Sequence, residues 1–325
     1  MTTYKRVLFG IKDLSILLGK RLSEEGYPPD LVVTIKPSKT QRKNISGFAP
    51  VASYAEKHSI PCFTTVSYSL TGDDCVDFFK KNTFLTGFVL GWQRIIPAYV
   101  LSVFSWGIFG LHGSCGELPY GKGRSPINWS LAKGDSRFVN HLFKYTDEPD
   151  NGPVFAKKVF EITPFDTART LQYKFFISGS RMFADLAQKI EKNEELKFYP
   201  RPSVPGSWYE KRYPENGRIT FSKMKTREIY NLVRASSNPF PLAFAVHKTS
   251  VSEPLHGSFS REKVFFAEGH PFDSFLDMDR HAVGEVVETF DVNTLIIKTL
   301  DGSILLKTEP GEGLKNIPSK GTIFS

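Results

Sequence analysis

Short apolar runs alternate with amphipathic stretches through the first half of this chain, and few folds accept that pattern. "KRVLFG" reads as a strand, and "DLSILLGKRLSEEG" as a helix with Leu14, Leu17, Leu18 and Leu22 on one side and Gly26 at its end. "PDLVVTI" predicts a second strand, and the polar "KPSKTQRKNISGF" after it a mobile loop. "PVASYAEKHS" then reads as a helix, "IPCFTT" as a strand, "GDDCVDFFKKN" as a helix and "FVLGW" as a strand. Strands separated by helices of this length predict an α/β fold with a mostly parallel sheet and helices on both faces. Ligands of such sheets bind beyond the carboxyl ends of the strands, so the loops after "FVLGW" and "GIFGLH" are the places to search.

The apolar segment 87–110, "GFVLGWQRIIPAYVLSVFSWGIFG", is long enough to weigh as a membrane span. Gln93, Arg94 and Pro97 interrupt it, and strand, short helix, strand is the better parse. The N-terminus runs straight into a strand without an apolar leader, which predicts a cytoplasmic protein with no membrane partner. Cys62, Cys75 and Cys115 are three, widely spaced and without a CxxC, which fits free thiols and no metal site.

Further along, "SPINWSLAKG" reads as a helix and "RFVNHLFKYTDEPDNGPVFAKKVFEI" as a hairpin turning at Glu148–Gly152. A long helix starts near Asp166, and the Pro-rich "YPRPSVPGSWYEKRYPENG" reads as a linker. Beyond it come a helix from Thr226 to Ala235 and several short strands with "LDG" as a tight turn, the pattern of a small OB-type barrel. The division expected is a first domain over 1–198, a linker over 199–225 and a second domain over 226–325.

Net charge is +8 and uneven. Residues 201–325 hold 16 Lys and Arg against 15 Asp and Glu, so the excess lies in the first 200 residues. That favours an anionic ligand there, without the concentrated basic face of a nucleic-acid binder. The stretch "FGLHGSCGELPYGKGRSP" packs five glycines around His112, at the predicted end of a strand. His58, His141, His247, His256, His270 and His281 read as structural; His112 stands apart because its glycine neighbours let a ligand approach.

"GLHGSCGELPYGKGRSPINWSLAKGD" followed by "YTDEPDNGPV" resembles the folate-dependent formyltransferase family, whose pattern is Asn-x-His-x-Ser, Leu-Pro, a glycine loop, Pro-Ile and a later Asp-x-Gly turn. "VLGWQRIIP" is similar to that family's folate clasp, and "PENGRITFSKMKTREIYNLVRASSNPFPLAFA" to its second-domain signature. The resemblance implies a Rossmann-like N-terminal domain, an OB-like β-barrel after it, and formyl transfer from 10-formyltetrahydrofolate to an amine. By the same resemblance His112 and Asp150 handle the proton and steady the imidazole. Leu90, Gly91, Trp92, Gln93, Ile95, Gly113, Thr146 and Asp147 border the folate, and Lys122, Arg124 and Ser125 hold an anionic substrate.

Gly110 departs from the pattern, standing where the family places asparagine. The resemblance leaves three readings open: a degenerate member, a water or backbone N–H in the vacancy, or a loop reshaped by "SCGELP" so that another group serves. The last two together are preferred. Cys115 reads as a loop thiol, with a nucleophile paired to His112 as the alternative. Among the family's acceptors, a nucleotide-linked amino sugar of surface polysaccharide (O-antigen) synthesis fits the near-neutral second domain best. Methionyl-tRNA, or folate and nucleotide binding without turnover, are the alternatives, and a homodimer is compatible with the exposed strands.

Overall fold

Val7, Leu8 and Phe9 are wholly buried, and their side chains divide between two cores because successive residues of a strand face opposite ways. The structure is a computed structural model that describes residues 2–36, 45–203, 205–250, 259–274, 279–309 and 318–325, with backbone alone at 248–250 and 259–261. The mobile loop expected over 36–48 lies largely outside the described residues.

The strands β1 (Thr3–Phe9), β2 (Leu31–Ile35), β3 (Cys62–Thr65), β4 (Thr83–Val89) and β5 (Phe104–Ser114) are parallel, in the order β3-β2-β1-β4-β5. The hairpin β7 (Arg137–Lys144) and β8 (Val154–Glu161) adds two antiparallel strands beyond β5. Chain order reverses between β1 and β4, which opens a crevice at their carboxyl ends.

Helices cover both faces. On one, α1 (Asp13–Glu24) and α2 (Val51–Lys57) bury Leu14, Leu18, Leu22, Val51 and Ala55 against Leu8, Val32 and Phe88. On the other, α3 (Asp73–Lys81) and α4 (Ala98–Leu101) bury Cys75, Phe79 and Val100 against Phe9, Phe84 and Phe104. Residues 87–110 therefore form the end of β4, α4 and most of β5, as the interrupted hydropathy predicted, and no helix among the described residues is long and apolar enough to cross a membrane.

The chain divides into two compact units, one of residues 1–126, 137–161 and 172–210, the other of 127–136, 162–171 and 211–325. Helix α5 (Pro126–Lys133) opens on proline, and α6 (Ala168–Glu191) supplies Phe176, Phe183 and Leu186 to the first unit's core. In the second unit α7 spans Thr226–Ala235 as read from the sequence, its first turn held by the Asp301 carboxylate, which accepts from the Thr226 N–H at 2.8 Å.

Helix α7 packs Ile229, Leu232 and Val233 on a five-stranded antiparallel sheet of order β10-β11-β14-β13-β12. These strands are β10 (Ala243–Ser250), β11 (Phe259–Pro271), β12 (Val286–Thr289), β13 (Thr294–Lys298) and β14 (Ser303–Thr308). The last residues cover both sheet edges, Phe324 bridging to His247 on β10 and Ile323 to Glu285 just before β12. Pairing at both edges is how a small OB-like barrel avoids an open strand.

Candidate active site

His112 sits on β5 with its side chain on the same face as that of Ile108 and as the open position at Gly110, since a strand alternates faces. The imidazole is 7 % exposed. Its Nε2 donates to the Gly121 carbonyl at 2.7 Å; a carbonyl can only accept, so Nε2 carries the proton. Nδ1 lies 3.5 Å from Asp150 Oδ1, an ion-pair separation and too long for a good hydrogen bond. The sequence separates these two residues widely; β5, β7 and the turn after β7 bring them together.

Asp150 adopts a left-handed backbone (φ +49°), a conformation aspartate accepts more readily than most residues. Its second oxygen, Oδ2, accepts from the Gly123 N–H at 2.9 Å. Gly123 can offer that N–H because its own φ of +97° lets the loop double back. The loop is tied further by a two-residue parallel pairing of β6 (Lys122–Gly123) with β9 (Trp208–Tyr209), so the Pro-rich stretch after α6 braces the site.

Lys122 and Arg124 do not act as a pair. Lys122 Nζ donates to Asn151 Oδ1 at 2.6 Å, whereas the Arg124 charge acts on Lys12 and Tyr68. Ser125, also left-handed (φ +59°), leads into Pro126. Cys115 Sγ is 4.0 Å from the Tyr209 hydroxyl, and the Cys115 carbonyl accepts from Arg137 Nε.

Around the end of β4, Leu90 uses both main-chain groups internally: its N–H donates to the Phe9 carbonyl, and its carbonyl accepts from Ser15 Oγ at 2.5 Å. The Gln93 N–H donates to the Tyr68 hydroxyl at 2.9 Å. Gly91 (φ +79°) passes so near Lys12 that a Cβ there would press on the lysine stem. Trp92 is buried edge-on between Phe9 and Tyr68, and its indole N–H has no hydrogen-bond partner among the described residues. Ile95 is 61 % exposed beside it. Thr146 and Asp147 lie exposed in the turn, with Thr146 Oγ1 donating to the Glu148 carbonyl; Gly113 faces the opposite side of the sheet, against the Phe138 ring.

The family profile described as "Formyl transferase" matches residues 23–185, and the one described as "Formyl transferase, C-terminal domain" matches 211–321. The chain belongs to the formyltransferase family. Three solved structures share the formyltransferase fold at low identity. WlaRD, a sugar 3N-formyl transferase determined in the presence of dTDP and 5-N-formyl-THF, is 18 % identical with a TM-score of 0.62, covering 96 % of this chain and all of its own. The Helicobacter canadensis N-formyltransferase, in complex with folinic acid and dTDP-3-aminofucose, is 17 % identical with a TM-score of 0.61, covering 94 % and 99 %. HypX from Aquifex aeolicus is 17 % identical with a TM-score of 0.59 and covers 94 % of this chain but 45 % of its own.

Around the candidate site stand four residues that the sequence did not single out, His141 having read as structural. His141 on β7 stands opposite His112 in the β5–β7 register. It is 1 % exposed with neither ring nitrogen partnered among the described residues, and burial, reinforced by His112, pulls its pKa down to about 4. It lines a cavity of about 310 Å³ together with Glu117, Asp150, Asn151, Lys157 and Arg201. Lys12, immediately before α1, is brought down to about 8, chiefly by burial and further by Arg124, against the opposing pull of Asp13. Tyr68 is pushed up to about 12 by burial, and the Arg94 guanidinium lies 5.2 Å from its ring centroid. Tyr145, just past β7, occupies the space over Gly110. None of these carries a spacing signal, because strand register and tertiary packing alone bring them in.

Proposed function

We propose that this protein moves a formyl group from 10-formyltetrahydrofolate to the amine of a nucleotide-linked amino sugar. The observation that carries this reading is the His112–Asp150 pair at the carboxyl end of β5, beside the crevice between β1 and β4. A proton-bearing Nε2 at the end of a strand, backed by a carboxylate, is placed to donate toward a carbonyl oxygen that becomes negative during acyl transfer. Gly121 holds that donor until a substrate oxygen takes its place.

In the transfer the amine lone pair forms a bond to the formyl carbon while the carbonyl pair moves onto oxygen. Its return breaks the bond to the folate nitrogen, and the proton the amine loses balances the one that nitrogen gains. Asp150 steadies positive charge on His112 throughout, and the Gly123 N–H keeps the carboxylate aimed.

The residues at the end of β4 suit a pterin-sized ring. Trp92 would supply an unpaired buried N–H, Ile95 an exposed apolar wall, and the Thr146–Asp150 turn, which carries the Asp150 carboxylate, the other border. Lys12 and Arg124 gather positive charge for a diphosphate. One relative determined in the presence of dTDP and another in complex with dTDP-3-aminofucose support a nucleotide-linked acceptor, and the near-neutral second half of the chain speaks against a tRNA. The test is to incubate the protein with 10-formyltetrahydrofolate and a panel of nucleotide-linked amino sugars and follow product mass. One sugar gaining a formyl group is expected; no gain on any sugar, with gain on charged initiator tRNA, overturns the choice of acceptor.

A further inference from the structure

We propose that the Tyr145 hydroxyl donates a hydrogen bond to the formyl oxygen during transfer, from the space that Gly110 leaves open beside His112. The proposal rests on the formyl-transfer reading above and names a group in that reaction that the motif does not contain.

The geometry starts from β5. Gly110 and His112 are two apart on one strand, so a side chain at 110 would stand next to the imidazole. That place is taken. A Cβ on Gly110 would collide with the Tyr145 hydroxyl and the ring edge that carries it. Glycine at 110 and tyrosine at 145 are therefore coupled in shape: the phenol reaches this position only because residue 110 has no side chain.

Main chain and packing fix the phenol there. The Tyr145 N–H donates to the Ile108 carbonyl at 2.7 Å, continuing the β5–β7 ladder by one residue. Its ring stacks on Phe143, with centroids 5.1 Å apart, and Phe143 pairs with Gly110 in the strand register. A ring held on two sides has little freedom to lose when its hydroxyl engages a ligand, which is the preorganisation an oxyanion donor needs.

The chemistry also fits. Burial and the Asp150 carboxylate both raise the phenol well above its ordinary range, so it keeps its proton and acts only as a donor near neutral pH. As the acceptor nitrogen bonds to the formyl carbon, the carbonyl electron pair moves to oxygen. Donors from Tyr145 and from His112 Nε2 would meet that charge from adjacent positions on one face. The pair then returns, the bond to the folate nitrogen breaks, and both donors keep their protons.

Tyr145→Phe separates this role from simple space-filling, because it keeps the ring and its stack on Phe143 and removes one oxygen. Loss of one such donor predicts a fall in kcat of roughly 10²–10³-fold, with KM for both substrates within about threefold. Gly110→Asn combined with Tyr145→Ala returns a donor to the same space and is expected to recover much of the kcat lost in Tyr145→Ala alone. Gly110→Asn by itself should lose activity through collision with the phenol. A Tyr145→Phe enzyme with kcat within about twofold of the wild type, measured under the same conditions, overturns the proposal while leaving formyl transfer standing. A wild-type protein that transfers formyl to no acceptor overturns both.

Discussion

Replacing Asp150 by Asn isolates one charge with little else disturbed. The amide can still accept from the Gly123 N–H, and asparagine tolerates the left-handed backbone at 150 as well as aspartate does. Opposite unit charges 3.5 Å apart interact by about 5 kcal/mol at an effective dielectric of about 20. The Asp150 side chain is 20 % exposed, and screening by that solvent brings the figure to about 3 kcal/mol. Because Asp150 keeps the imidazole charged where the formyl oxygen becomes most negative, the loss falls on the transition state and corresponds to a drop in kcat of about 10²-fold. Formyl transfer by Asp150→Asn, measured beside its thermal midpoint, checks this. An enzyme that folds normally and keeps more than about a third of wild-type kcat would show that the Asp150 charge does not act on transfer.

Other outcomes follow from the same structure. His141 is held neutral in the fold with a pKa near 4 against an ordinary 6.5, so the unfolded chain binds its proton first as pH falls. Stability is complete above about pH 6.5 and declines toward pH 4. Urea unfolding across that window should show the decline, and His141→Leu should lessen it. Lys12, near 8 instead of 10.5, gives the same signature in a higher window: stability rises as pH climbs from 8 to 10.5, because the unfolded lysine keeps its proton longer. Lys12→Met should remove that rise and weaken binding of a nucleoside diphosphate, read by calorimetry at pH 7. Phe79→Ala, in the aromatic cluster with Phe9, Phe84 and Phe104, should cost about 3–5 kcal/mol in denaturant unfolding.

The strand and helix order of the first half was legible because each element carries its own period, as in α1 with its leucines and β1 with its apolar run. The helix Thr226–Ala235 and the hairpin turn after β7 were legible from caps and turn residues. The pairing of Lys122–Gly123 with Trp208–Tyr209 was not, since two-residue strands have no period and their partners lie far apart in sequence. The same limit applies within the site. His112 and Asp150 sit in a recognisable motif, but what fills the gap above Gly110 depends on where β7 delivers Tyr145. Lys122 and Arg124 look like one basic loop on paper; the fold turns one toward Asn151 and the other toward Lys12.

If a formyl group passes at His112 from folate to a sugar amine, a single-turnover experiment with 10-formyltetrahydrofolate labelled in the formyl carbon will show it, comparing wild type with His112→Ala at saturating nucleotide-linked amino sugar. Label on the sugar nitrogen is expected with wild type, and transfer slowed by at least about 10³-fold in the variant. Label that stays on the folate with every sugar offered, or a variant as fast as wild type, would contradict it.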